Sequence, residues 1–228
     1  MTMPKKAFIL YCPCQPDQLI PNVDLVTLKG CSGQIILEEQ EDTTILQLLG
    51  LYQQNLQMKS NFNQRFHNLS LAVISDHKST TDITQDLGCF HQNITSIEQI
   101  TKVLYSDYNV VLVDFTGIDN PWKWINELLN NQDKDIIQCV VSPYTPTNPP
   151  TSFLPRQSYL MKNGSQVAVD SKTELMYSYL HAGSARTDLT SAYNLQDIEQ
   201  NGANCKILAW HFLAEIGNKL GFVPKYGA

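Results

Sequence analysis

Three short apolar runs, 69–75 (LSLAVIS), 110–113 (VVLV) and 136–141 (IIQCVV), constrain this chain more than anything else in it. None alternates between apolar and polar residues, so each reads as a strand covered on both faces, as in parallel sheets. The stretches between them read as helices. Thr95 with Glu98, or Ser96 with Gln99, can form a capping box, and Ile97, Ile100 and Leu104 supply an apolar stripe. Asn120-Pro121 opens a second helix, with proline where its missing N–H costs nothing, and Trp122, Ile125 and Leu129 mark its inner face. Strand, helix, strand, helix, strand over short connections specifies a parallel sheet with right-handed crossovers.

The flanks extend this plan. Residues 7–12 (AFILYC) read as a buried strand, and 24–28 and 34–37 as short strands around the turn "KGCSG". Ile45, Leu48, Leu49, Tyr52 and Leu56 share a helical face, which predicts a helix over 42–58 capped by Asp42 or Thr43. Five of the eleven prolines fall between Pro143 and Pro155, so neither a helix nor a central strand continues there; the stretch reads as a loop or linker, or as a polyproline segment for a partner. Beyond it, 166–169 reads as a small strand. Ser171 with Glu174 reads as a capping box opening a helix to His181 and Gly183, and 203–220 as an amphipathic helix with Ile207, Trp210, Leu213 and Leu220 inward. The expected architecture is α/β: a three-layer, mostly parallel, Rossmann-like or receiver-like core over 1–150. A Pro-rich linker and mainly helical extension over 151–228 packs on it.

At 228 residues, with 43% hydrophobic and 17% charged residues, the chain can bury a sizeable core. A formal charge of −6 and the lack of a basic stripe argue against nucleic acid as a partner. The apolar run after Lys5-Lys6 is too short for a signal peptide, and no stretch approaches membrane-span length. The chain therefore reads as soluble and cytoplasmic, with no membrane partner, and the sequons at Asn68, Asn93 and Asn163 then carry no meaning. Six cysteines do not make a disulfide scaffold in a chain with this much core. Cys12-Pro13-Cys14 lacks the spacing of a zinc knuckle and has no second pair, while Cys89 and His91 could join a site only through long-range folding. The expectation is no metal and no cofactor.

Ligands of open parallel sheets collect beyond the carboxyl ends of the strands. Residues 75–81, 114–119 and 142–145 should share that rim, which makes Asp76, His77, Asp114 and Ser142 the catalytic candidates. Lys78, Ser79 and the distant Arg186 are the ligand-binding ones. His77 could act as a base near neutral pH, and Arg186 could grip a phosphate or carboxylate in bidentate fashion. In "HAGSARTD", however, Gly183 as a helix stop and Asp188 as the next N-cap explain much of the pattern structurally.

Two resemblances bear on this rim. "VISDHKST" is similar to a nucleotide-binding P-loop in its Lys78-Ser79-Thr80, and "VVLVDFTG" to the strand that carries a magnesium-binding Asp there. The first stretch contains none of the glycines that let backbone N–H groups wrap phosphates. Over 69–142, "SDYNVVLVDF", a helix and "IIQCVVSPYT" resemble the middle of a response-regulator receiver domain. That resemblance implies Asp114 as phosphoacceptor, Ser142 as the hydroxyl and Asp76 as the acid of the earlier strand. The chain departs from the pattern in having one acid at the earlier strand end, followed by His77 and Lys78, and no clear fifth strand ending in Lys.

These readings favour a non-catalytic regulatory or assembly module acting through protein contacts, a second copy of the chain included. Tyr144, Phe153 and Trp124 would lie on its partner surface. The competing expectation is a small-molecule hydrolase or transferase using Asp76, His77, Asp114 and Arg186. It requires those side chains to converge.

Overall fold

The computed structural model describes residues 3–38, 43–51, 57–129, 133–144, 161–162, 165–166, 169–184, 186–203 and 206–224, the backbone alone over 161–173. The Pro-rich segment beyond Tyr144, Phe153 and Cys205 lie outside that set. In chain order the elements are β1 (Lys6–Tyr11), α1 (Pro21–Lys29), β2 (Cys31–Glu38), α2 (Thr44–Leu48), α3 (Met58–Phe66), β3 (Leu71–Ser75), α4 (Lys78–Leu87), β4 (Phe90–Gln92) and α5 (Ile97–Leu104). There follow β5 (Val110–Asp114), α6 (Pro121–Leu128), β6 (Ile136–Tyr144), β7 (Met161–Lys162), β8 (Ser165–Gln166), β9 (Val169–His181), α7 (Leu195–Asn201), β10 (Lys206–Leu208) and α8 (Ala209–Lys219).

Eight strands form one sheet in the order β10-β2-β9-β6-β1-β5-β3-β4, and β7 and β8 form a separate antiparallel hairpin. β1 pairs in parallel with β5 and β6, and β3 with β5 and β4. The three diagnostic runs are therefore co-directional, as expected. The exception is β9, antiparallel to both β6 and β2. Among the described residues the sheet is mostly parallel, with helices on both faces: an α/β fold. Alternate residues face opposite layers. Ala7, Ile9, Leu71, Val73, Leu112 and Cys139 point toward α2, α3, α4 and α8. Phe8, Leu10, Ala72, Ile74, Val111 and Val140 point toward α1, α5, α6 and α7.

Local signals account for several elements. Ser96 Oγ accepts the Gln99 N–H and caps α5, while Pro121 starts α6 with Trp122 and Ile125 buried and Leu129 just beyond it. Thr43 caps α2. That helix ends at Leu48 rather than running to 58: Gly50 takes φ +68°, and the Arg65 guanidinium donates to its carbonyl at 2.9 Å. Tyr52 and Leu56 of the expected stripe lie outside the described residues.

Other expectations need correction. Residues 24–28 are not a strand but part of α1, because Pro21 opens a helix whose Val23 and Val26 are buried against the sheet. The helix expected over 171–181 is β9. From Glu174 on its side chains alternate, with Leu175 and Tyr177 in one layer and Met176 and Leu180 in the other, and no helix opens at Ser171. The expected strand over 166–169 is split between the end of β8 and the start of β9. The helix expected from 203 begins at Ala209, because Ile207 belongs to β10; Leu213 and Leu220 are buried, but Trp210 is half-exposed beneath Arg65. Among the described residues, the extension over 151–228 thus supplies four strands, β7 to β10, as well as helices α7 and α8. No described helix is long and apolar enough to cross a membrane.

Candidate functional site

The rim at the carboxyl ends of β3 and β5 is built around Asp114, which is fully buried. The register sets Ser75 on one side of it and Tyr11 on the other, on the face covered by α4. The helix after β3 covers that face, and the helix after β5 covers the opposite one, so a topological switch point falls between these strands. In position, Asp114 sits where an α/β protein places a ligand.

Its chemistry is already engaged. Oδ2 accepts the Thr80 hydroxyl at 2.6 Å and the Ser75 hydroxyl at 3.1 Å. Oδ1 accepts the Thr116 hydroxyl at 2.6 Å and the Thr116 N–H at 2.9 Å. These four donors tie β3, the first turn of α4 and the loop after β5 to one carboxylate. The network continues outward. Ser75 Oγ also accepts the His77 N–H at 3.0 Å, and the Ser75 carbonyl lies 3.0 Å from His91 Nε2. A carbonyl only accepts, so His91 Nε2 carries the hydrogen. On the neighbouring strand, burial pushes the Tyr11 phenol up to about 12, despite an opposing hydrogen bond with Thr44.

The remaining candidates do not join Asp114. Asp76 is exposed, and its Oδ1 accepts the Ile94 N–H at 3.2 Å. His77 occupies the N-cap position of α4, and Lys78 and Ser79 are that helix's first residues, with Lys78 exposed. Ser142 reaches the rim on the other face. Its hydroxyl lies 3.1 Å from Tyr193 Oη, which donates to the Met176 carbonyl at 3.0 Å, so Ser142 is the donor of that pair. Arg186 is exposed at the far end of the sheet. Its carbonyl lies 3.7 Å from the sulfur of Cys31, the first residue of β2. Gly183 follows a strand, not a helix. Asp188 caps no helix and instead accepts the Ser32 N–H at 2.7 Å and the Thr190 N–H at 3.0 Å. Asn194 caps α7. Tyr144, expected on the surface, is buried, and Trp124 is half-buried. Among the described residues no cluster of three or more His, Cys, Asp or Glu could hold a metal ion.

A second polar assembly, not expected from the chain, lies under α7. Tyr144 donates to Glu174, Gln34 donates to Tyr144, and Lys206 Nζ pairs with Glu174 Oε2 at 2.8 Å. Gln34 also reaches Glu199 Oε1 at 3.2 Å. Burial, reinforced by Glu174, pushes the Tyr144 phenol far up, so it keeps its proton and donates. Nearby, Ser178 Oγ lies 2.9 Å from Thr27 Oγ1 and 2.8 Å from Ser32 Oγ. Alternation along β2 and β9 was the available signal: Ser32, Gln34, Glu174 and Ser178 share one face of their strands. Above Tyr144 and Tyr193 lies a cleft of about 350 Å³, bounded by residues 15–20, Asp24, Asn194 and Leu195. Asp17 and Asp24 are the carboxylates of its lining, and exposed Leu19 stands at its edge.

No protein-family model matches the chain, and no curated protein matches it. Among solved structures it is similar to the PH0037 protein from Pyrococcus horikoshii, with a TM-score of 0.64 at 11% identity and the whole of both chains covered. That likeness establishes the α/β fold. A cofactor-independent phosphoglycerate mutase from Thermoplasma acidophilum overlaps 70% of this chain and 38% of its own, at 12% identity and a TM-score of 0.46.

Proposed function

We propose that this chain is a non-catalytic regulatory or assembly module that acts through protein contacts, and that the cleft above Tyr144 receives a basic, partly apolar segment of its partner. The observation that carries this reading is the state of Asp114: a fully buried carboxylate ringed by four donors serves as a structural tie. The cleft supports the second half. Among the described residues its lining holds two carboxylates and no Lys or Arg, Leu19 beside it is 76% exposed, and the chain's net charge is −6. Acidic walls around an apolar contact suit a cationic amphipathic segment. The alternative, a small-molecule hydrolase or transferase, draws on the same cleft, whose size falls in the range of ligand pockets.

Photo-crosslinking in native extract separates the two readings. The wild type, an Asp17→Lys/Leu19→Glu variant and a Tyr105→Glu control are compared, with light scattering to detect a second copy. The expected result is one reproducible partner held by wild type and control and lost from the cleft variant. Equal capture by all three removes the cleft from the reading. No partner, together with turnover of phosphate or carboxylic esters by the wild type, replaces the module with an enzyme.

A further inference from the structure

The Cys12-Pro13-Cys14 motif leaves β1 at the rim with its two sulfurs 3.6 Å apart. The two thiols occupy unlike surroundings. Cys12 is fully buried among Phe8, Leu10 and Val140, whereas Cys14 is exposed. Burial raises the Cys12 pKa well above that of a free thiol, an effect only partly offset by a hydrogen bond from the Cys14 backbone. Cys31 and Cys139 are buried and Cys89 is half-buried, each as a free thiol. The proximal pair thus combines one sulfur that solvent reaches with one that it does not.

We propose that Cys12 and Cys14 are a redox modification site, closing reversibly into an intrachain disulfide when the protein meets a small-molecule disulfide of the glutathione type. Cys14, as thiolate, attacks one sulfur of the oxidant; its S–S bond breaks and one small thiol leaves, carrying the proton Cys14 gave up. Cys12 then loses its proton and attacks Cys14 Sγ in the mixed disulfide. A Cys12–Cys14 bond forms, and the second small thiol departs with that proton. The protein loses two hydrogens and two electrons, and the oxidant becomes two thiols. Geometry makes Cys12 the resolving partner, because it needs only to reach a neighbour. Closing to the ~2.05 Å bond requires the sulfurs to approach by roughly 1.5 Å. The motif continues directly into residues 15–20, which wall the cleft, yet the chemistry does not depend on what the cleft binds.

The test exposes the full chain to oxidised glutathione, alkylates the remaining thiols and maps them by peptide mass. The expected result is a peptide containing Cys12 and Cys14 that has lost two hydrogens and takes no alkyl group, restored by dithiothreitol. Cys14→Ser, a change at an exposed position, should abolish both the bond and any glutathione adduct on that peptide. Cys12→Ser should leave the adduct on Cys14 as the end product; circular dichroism checks that this buried substitution still folds. Alkylation of both residues after oxidation overturns the proposal, as does a wild-type Cys14 adduct that never resolves, or pairing of Cys14 with another cysteine.

Discussion

Asp114→Ala is expected to destabilise the protein by about 3–5 kcal/mol, because at least two buried donors lose their acceptor at about 1–3 kcal/mol each. The loss has a specific origin. Three hydroxyls and a backbone N–H converge on the two carboxylate oxygens, and the truncated variant leaves the buried Ser75 and Thr80 hydroxyls without their acceptor. Asp114→Asn keeps one acceptor oxygen and replaces the other with a donor, to which Ser75 or Thr80 can adapt by rotating; the expected cost is about 1–2 kcal/mol. Urea unfolding followed by circular dichroism reads both. For a chain of this length the alanine variant should melt roughly 10 °C lower. A loss below about 1 kcal/mol for Asp114→Ala would show that the carboxylate does not hold the rim together.

Glu174→Ala is the second large effect, expected at about 3–4 kcal/mol. Glu174 joins β9 to β10 through Lys206 and to β6 through Tyr144, with the two charged side chains only 8% and 15% exposed. Truncation leaves an ammonium in partly desolvated surroundings and a phenol without its acceptor. A double replacement by methionine at Glu174 and Lys206 removes both charges together and should recover most of the loss, since apolar pairs of similar volume often equal a buried ion pair. Equilibrium unfolding of Glu174→Met, Lys206→Met and the double variant gives the coupling energy. Additive effects would mean that solvent, not the partner, satisfies each charge.

The parallel core was legible because its strands carry an unambiguous signal. Three non-alternating apolar runs separated by Ser96 with Gln99 and by Asn120-Pro121 leave little choice, and the pairings of β3, β5, β1 and β6 follow them. Helix α4 was hidden. Facing the sheet, it buries Thr80 and Thr84 beside Ile83 and Leu87, so half of its inner stripe is hydroxyl-bearing and the apolar periodicity is weak. Without α4 the role of Thr80 could not be read, and so Asp114 was legible as a rim residue but its partners were not. β9 was misread for the opposite reason. A Ser and a Glu three residues apart imitate a capping box, while Leu175, Tyr177 and Tyr179 alternate with Met176, Ser178 and Leu180 as a central strand must. Arg186 was drawn toward the rim by its chemistry alone; β9 carries the chain to the opposite end of the sheet before reaching it.

On the proposed reading, Asp114 ties the rim together and performs no group transfer. Incubating the full chain with acetyl phosphate and magnesium, then weighing the intact protein, tests that most directly. The account predicts an unchanged mass; one added phosphoryl group, absent from Asp114→Asn, would contradict it.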